Sequence, residues 1–233
     1  MFLASVALAA AFIAREQRTA EPMIDLRLFS RSAFSVGITS GLLSYLVLFG
    51  CLFVTPFFLE ASRGLTPGGA GAVLVALPIA LGLVAPLAGR AADSFGARPL
   101  TVVGMLVSAL ALVSLALLGA SNNSLGFVAG ALALLGVGLG LFTPANNAAI
   151  MGSAPKAQSG MAGGVLNMTR GLGTSLGLAL TALVFGAIVG AHAEAAHVGQ
   201  GFAVSALVLA AIAVFAAGLS ALRGNPFDAR GAS

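Results

Sequence analysis

The chain has 233 residues, of which 59% are hydrophobic and only 8% are charged, and its formal net charge is +4. Soluble domains usually contain about 25% charged residues, so this composition excludes a soluble globular protein and indicates an integral membrane protein. The 11 lysines and arginines are scattered among short connections and form no basic stripe, which argues against nucleic acid as a partner.

Six apolar stretches are long enough to cross a lipid bilayer, which takes about 20 residues of helix. These spans are predicted at 33–59, 69–88, 100–119, 125–150, 160–189 and 202–222. A shorter apolar stretch before them ends at charged residues, and we interpret it as the end of a helix whose beginning is missing. The predicted organisation is a truncated helix at 1–14, a cytoplasmic connector at 15–32, a six-helix unit at 33–222 and a cytoplasmic tail at 223–233.

The predicted fold is therefore an all-α membrane bundle of six helices. Six helices with glycine- or proline-interrupted members can form two inverted three-helix repeats, a plan common among transporters. Pro67 is suited to open the second helix, and Pro78 and Pro86 are expected to kink it.

Glycine is abundant, with 31 residues, and it clusters in the fifth span. Gly173 and Gly177 have the GxxxG spacing that lets two helix backbones approach closely in lipid. We expect close helix packing at these two residues and at Gly163 and Gly164.

Positive charge is distributed unequally between the two sides of the predicted bundle. Only Arg63 falls in the connections of one side. The connections of the other side contain Arg15, Arg18, Arg27, Arg31, Arg90, Arg98, Lys156, Arg223 and Arg230. Because cytoplasmic loops carry the excess of lysine and arginine, we expect the richer side, with the C-terminus, to be cytoplasmic.

Arg170 is the one remaining basic residue, and it lies inside the fifth predicted span. An arginine near a helix centre costs roughly 2.5–3.5 kcal/mol on insertion scales, so it should face protein or water rather than lipid. Asn167 and Thr174 share its helix face. Arg170 either lines a pathway, where it could bind an anion or carboxylate or modulate a nearby proton site, or it hydrogen-bonds backbone carbonyls between helices as a structural residue.

Two further polar residues are candidates for a cavity face. Asn146 follows Pro144 in the fourth span, so it either faces a cavity or caps a helix break at the proline. Tyr45, the single tyrosine, lies in the middle of the first span, where it could contact a substrate or pack with one hydrogen bond.

Catalytic and metal sites find little support in the sequence. His192 and His197 fall in a predicted outer loop, and the aspartates fall in connections, so intramembrane serine and aspartyl proteases lack their residues. No zinc-ligand spacing occurs. We expect neither an enzyme nor a metal site.

A charged connection between the second and third spans carries the clearest motif. Gly89, Arg90, Asp93, Gly96 and Arg98 form the pattern Gly-x-x-x-Asp-x-x-Gly-x-Arg in what we predict to be a tight turn. This pattern resembles the signature cytoplasmic loop of the major facilitator superfamily. Asp93 could cap the next helix or pair with either arginine. We call these five residues the latch, because such an ion pair would stabilise one conformational state and break in the other.

Other segments resemble the fourteen-helix drug:proton antiporters of that superfamily, notably the connector at 21–29 and the helices at 136–155 and 160–177. The resemblance implies the C-terminal half of a multi-pass transporter in the cell membrane, with a bilayer, a small-molecule substrate and the missing N-terminal half as partners. It also implies alternating access, with a proton gradient as energy source and no cofactor, and export of drugs or other small hydrophobic or cationic compounds. A non-transporting membrane scaffold and a dimerising half-transporter are the alternatives.

Overall fold

A computed structural model of the chain describes residues 29, 32–120, 124–155, 158–190 and 195–222. Among these residues, six helical segments are long and apolar enough to cross a membrane: Ser32–Ser62, Pro67–Phe95, Ala97–Leu117, Leu125–Ser153, Ser159–Val189 and His197–Ala221. The prediction of an all-α bundle with six spans is confirmed, and we number the spans first to sixth. The predicted truncated helix, the tail and nearly all of the connector lie outside the described residues.

The first span is an α-helix, Ser32–Phe57, which includes Pro56 and continues as a π-helical turn, Phe58–Ser62. The second span begins as predicted at Pro67, and the side chain of Thr66 accepts a hydrogen bond from the Gly69 amide at 3.3 Å. A side-chain oxygen at this position satisfies one of the free amides of the first helical turn.

The second span consists of two helices, Pro67–Leu74 and Ala76–Phe95, separated by a turn at Val75. Pro78 lacks the amide that would bond the carbonyl four residues earlier, so the helix is interrupted just before it. Pro86 lies within the second helix without ending it. This helix continues to Phe95. The prediction of a tight turn that begins at Gly89 is therefore wrong, because residues 89–95 are helical and the chain turns only at Gly96.

The remaining helices are Ala97–Ala120, Leu125–Ser153, Ser159–Val189 and Ala195–Ala221. The helix of the fourth span runs through Pro144 without interruption, so the helix break considered at this proline does not occur. The helix of the sixth span begins at Ala195 and not, as predicted, at residue 202. His197 therefore lies in the first turn of this helix and not in a loop. His192 lies outside the described residues.

Helix packing follows the symmetry expected of two inverted three-helix repeats. The second span packs on the fourth, and the first packs on the fifth. The third span packs on the fourth, as the sixth packs on the first, and the third and sixth pack on each other. If the first span is exchanged with the fourth, the second with the fifth and the third with the sixth, the same set of packing contacts results, as two repeated units require.

The buried core lies among the first, third, fourth and sixth spans. One of its contacts is the stacked pair Phe58 and Phe202, with ring centroids 4.2 Å apart and an interplanar angle of 10°. The second and fifth spans are much less buried, with 11% and 17% of their most apolar windows inside the bundle against 44–56% for the others. These two spans therefore offer the largest exposed helix faces.

Candidate functional site

The first and fifth spans run parallel and approach each other closely along a row of small residues. Gly173 and Gly177 lie against the backbone of Leu42 and Leu46, one helical turn apart on each helix. A Cβ atom on either glycine would come within 2.6 Å or 2.5 Å of the facing carbonyl oxygen. Because no real side chain tolerates such a contact, this approach requires glycine.

This close approach brings Arg170 of the fifth span to Tyr45 of the first. The guanidinium Nη2 donates a hydrogen bond to the Tyr45 hydroxyl at 3.1 Å, and its central carbon lies 5.2 Å from the tyrosine ring centroid. Both a charge-assisted hydrogen bond and a cation–π contact therefore hold the guanidinium. Tyr45 is only 9% exposed, whereas Arg170 is an exposed residue of this chain.

Arg170 also lies deep within the predicted membrane region. It follows the first residue of its helix, Ser159, by about 11 residues, or roughly 17 Å at 1.5 Å per residue. A charge that far inside a membrane span is unfavourable against lipid. The exposed charge must therefore meet water or another protein group.

The exposed surface of the fifth span is divided into two sides. Gly163, Asn167, Arg170 and Thr174 recur every three or four residues on one side, and we call them the polar strip. The other side is apolar and exposes three large side chains by 56–72%, namely Met168, Leu172 and Leu183. Lipid suits the apolar side, whereas the polar strip needs a polar surface or water opposite it.

Two of the four predicted packing glycines contact no neighbouring helix among the described residues. A Cβ atom on Gly163 or Gly164 would meet no atom of the described residues within 4 Å. The packing role of these two glycines therefore stays a prediction.

Asn146 of the fourth span is buried, with 1% exposure, and its amide nitrogen donates to the Gly37 carbonyl of the first span at 3.0 Å. It thus joins two helices rather than facing an open surface or capping a helix break. A Cβ atom on Gly41, one turn after Gly37, would lie 3.1 Å from the same amide nitrogen. These two first-span glycines were missed at the sequence level, although their own GxxxG spacing signals a close contact.

The latch lies at the junction of the second and third spans. Only Gly96 leaves the helix, with φ 81° and ψ 162°, and the next helix begins at Ala97. Arg90, Asp93 and Arg98 are exposed, and within the described part of the chain Asp93 forms no ion pair. The predicted pairing of Asp93 with a neighbouring arginine is therefore not formed in this conformation.

No group of three potential metal ligands occurs among the described residues. One groove, with a volume of about 630 Å³, lies at the ends of the third and fourth spans and is lined by residues such as Ser114, Leu117 and Phe127. A second groove, of about 280 Å³, is lined by apolar residues of the first and second spans. Arg170 does not line either of these two grooves, and both Arg170 and Asn167 are exposed.

The family model of the Major Facilitator Superfamily matches this sequence at residues 1–178 and again at 37–231. The riboflavin transporter RibZ of Clostridioides difficile is 33% identical over 171 residues, which is 73% of this chain and 37% of that protein. The uncharacterized transporter YebQ of Escherichia coli is 33% identical over 212 residues, or 91% of this chain and 44% of that protein.

The multidrug resistance protein Stp of Mycobacterium tuberculosis is 31% identical over 186 residues, which is 79% of this chain and 34% of that protein. The chain therefore spans less than half the length of each of these three relatives.

Proposed function

This chain belongs to the Major Facilitator Superfamily, and we propose that it is the C-terminal six-helix half of a fourteen-helix drug:proton antiporter. Two observations support the assignment as one half of a transporter. The chain covers less than half of the length of these relatives, and its two least buried spans expose large helix faces. Relatives named as multidrug resistance and riboflavin transporters support a small-molecule substrate. The substrates that we propose are small hydrophobic or cationic compounds, bound between the two halves.

The observation that carries this proposal is the exposed Arg170, which donates a hydrogen bond to the buried Tyr45 near the middle of the fifth and first spans. A charged group at that depth is unfavourable in lipid, so its exposure favours a water-filled pathway. Substrate sites of secondary transporters lie near the bilayer midplane, and the position of Arg170 well inside its 31-residue helix supports such a site.

Each candidate residue takes a distinct part in this proposal. Arg170 and Asn167 face the pathway, and Tyr45 orients the guanidinium through its hydroxyl. Asn146 positions the first span from behind and does not touch the substrate, because it is buried between helices. The latch controls access from the cytoplasm, with Asp93 forming its ion pair in another conformational state.

Proton coupling would depend on the rest of the transporter. The acidic residues in the described part of the chain are Glu60, in the last turn of the first span, and Asp93, near the end of the second. Neither lies at the depth of Arg170. We therefore place the proton-carrying acid in the N-terminal half, and the C-terminus of this chain on the cytoplasmic side of the cell membrane.

Export by the complete transporter tests the proposal. Ethidium efflux is measured in bacterial cells that express wild-type protein, Arg170→Ala or Asp93→Asn, with Arg63→Ala as a control at a span end. We expect both site variants to lower efflux about tenfold, equivalent to roughly 1.4 kcal/mol, at unchanged protein level. Unaltered efflux in both would contradict the residue assignments, and efflux by the 233-residue chain alone would contradict a half-transporter.

A further inference from the structure

Arg170 lacks a counter-charge among the described residues. Its one hydrogen-bonding partner there is the neutral hydroxyl of Tyr45. Glu60, the acidic residue of the same helix as Tyr45, lies 15 positions further along, about 22 Å at 1.5 Å per residue. An arginine brings one positive charge to the polar strip, and no acidic group of the described residues compensates it.

The hydrogen-bonding groups around this charge are mainly donors. Arginine has five N–H groups, and one nitrogen is engaged with the oxygen of Tyr45. Because that oxygen accepts from Arg170, the hydroxyl proton of Tyr45 is directed elsewhere and can donate. The exposed amide of Asn167, on the same helix face, adds two further donors and one acceptor oxygen, so N–H and O–H donors outnumber acceptors. Such a set requires a ligand that supplies acceptors.

A carboxylate meets this requirement better than other ligands. Its two coplanar oxygens accept two parallel N–H bonds from one guanidinium, and its single negative charge balances a single arginine. A phosphate dianion would leave negative charge uncompensated, because no second basic residue lies near Arg170 in the described spans. A cationic substrate would be repelled unless a carboxylate had already neutralised the arginine.

Resting on the transport function proposed above, we propose that Arg170, with Tyr45 and Asn167, is a carboxylate-binding site inside the membrane. The carboxylate comes from one of two sources. It belongs either to the transported compound, which would then be a monoanion or zwitterion, or to an aspartate or glutamate of the transporter outside this chain. The second source is the one compatible with purely cationic substrates.

Binding of a matched pair of dyes by the purified complete transporter distinguishes the sources. The probes are rhodamine B, which has a free carboxylate, and its ethyl ester, which has none. Fluorescence anisotropy gives the Kd of each dye for wild type, Arg170→Gln and the control Arg63→Gln. A substrate carboxylate predicts that Arg170→Gln raises the Kd of rhodamine B at least tenfold and leaves that of the ester unchanged.

If the carboxylate belongs to the transporter itself, the effect of the substitution appears in the thermal stability of the protein without dye. Arg170→Gln then lowers the thermal unfolding midpoint by several degrees, and neutralising one membrane-embedded acid outside this chain restores it. The inference is overturned if Arg170→Gln leaves the preference between the dyes unchanged and no neutralised acid restores a lowered midpoint. Since neither readout requires transport, a wild type that binds but does not export would contradict the proposed function alone.

Discussion

The carbonyl oxygen of Leu46 occupies the space that a side chain on Gly177 would need, because a Cβ atom there would approach it to 2.5 Å. One turn earlier, Gly173 has the same relation to Leu42. These contacts fix how the fifth span lies on the first, and that register places Arg170 beside Tyr45. Packing and the candidate site thus depend on the same row of small residues.

Gly177→Ala should destabilise the protein by about 1–3 kcal/mol, because the added methyl group forces the two backbones apart. The matched control is Gly186→Ala in the same helix, where a Cβ atom would meet no described atom within 4 Å. Thermal unfolding in detergent measures both. Equal midpoints for the two variants would show that the close contact does not hold these helices together.

Asn146→Ala should lower stability by about 0.5–1.5 kcal/mol, because it removes the buried hydrogen bond to the Gly37 carbonyl. The neighbouring Asn147 is partly exposed, so Asn147→Ala should change stability by no more than about 0.5 kcal/mol. The same unfolding measurement compares the two. A larger loss in Asn147→Ala would argue that the fourth span is rotated relative to the first.

The spans were predictable because a bilayer imposes a length and a composition on every helix that crosses it. Arg170 was also identifiable, since a charge inside a span is unfavourable wherever it faces lipid. Tyr45 was also a candidate, but its pairing with Arg170 was not predictable, because 125 positions separate the two residues and only packing joins them.

The ends of the helices and the burial of Asn146 were less predictable. In the second span, the helix Ala76–Phe95 continues through the charged residues, because charged side chains do not end a helix that has left the apolar region. The fourth span is apolar on every side, so periodicity could not show which face of it is buried. The position of Asn146 against Gly37 follows from tertiary contacts alone.

Gly96→Ala should destabilise the junction of the second and third spans by about 1–3 kcal/mol. The φ of 81° and ψ of 162° at Gly96 fall in a region that is open almost only to glycine. No described atom lies within 4 Å of a Cβ atom there, so backbone strain alone would cause the loss. Gly89→Ala is the control, because Gly89 is helical and equally open; unfolding midpoints that fall together would refute this explanation.

Orientation in the membrane can be tested with introduced cysteines, because Cys51 is 1% exposed and would not compete for a hydrophilic reagent. Glu60 and Arg98 are both exposed and lie at opposite ends of the bundle. In a Cys51→Ala background, a membrane-impermeant maleimide applied to intact cells should label Glu60→Cys and leave Arg98→Cys unlabelled. Everted vesicles should give the reverse, since the excess of arginine and lysine keeps the Arg98 side in the cytoplasm. Labelling of Arg98→Cys in intact cells would contradict this orientation, because it would show that the latch lies outside the cell.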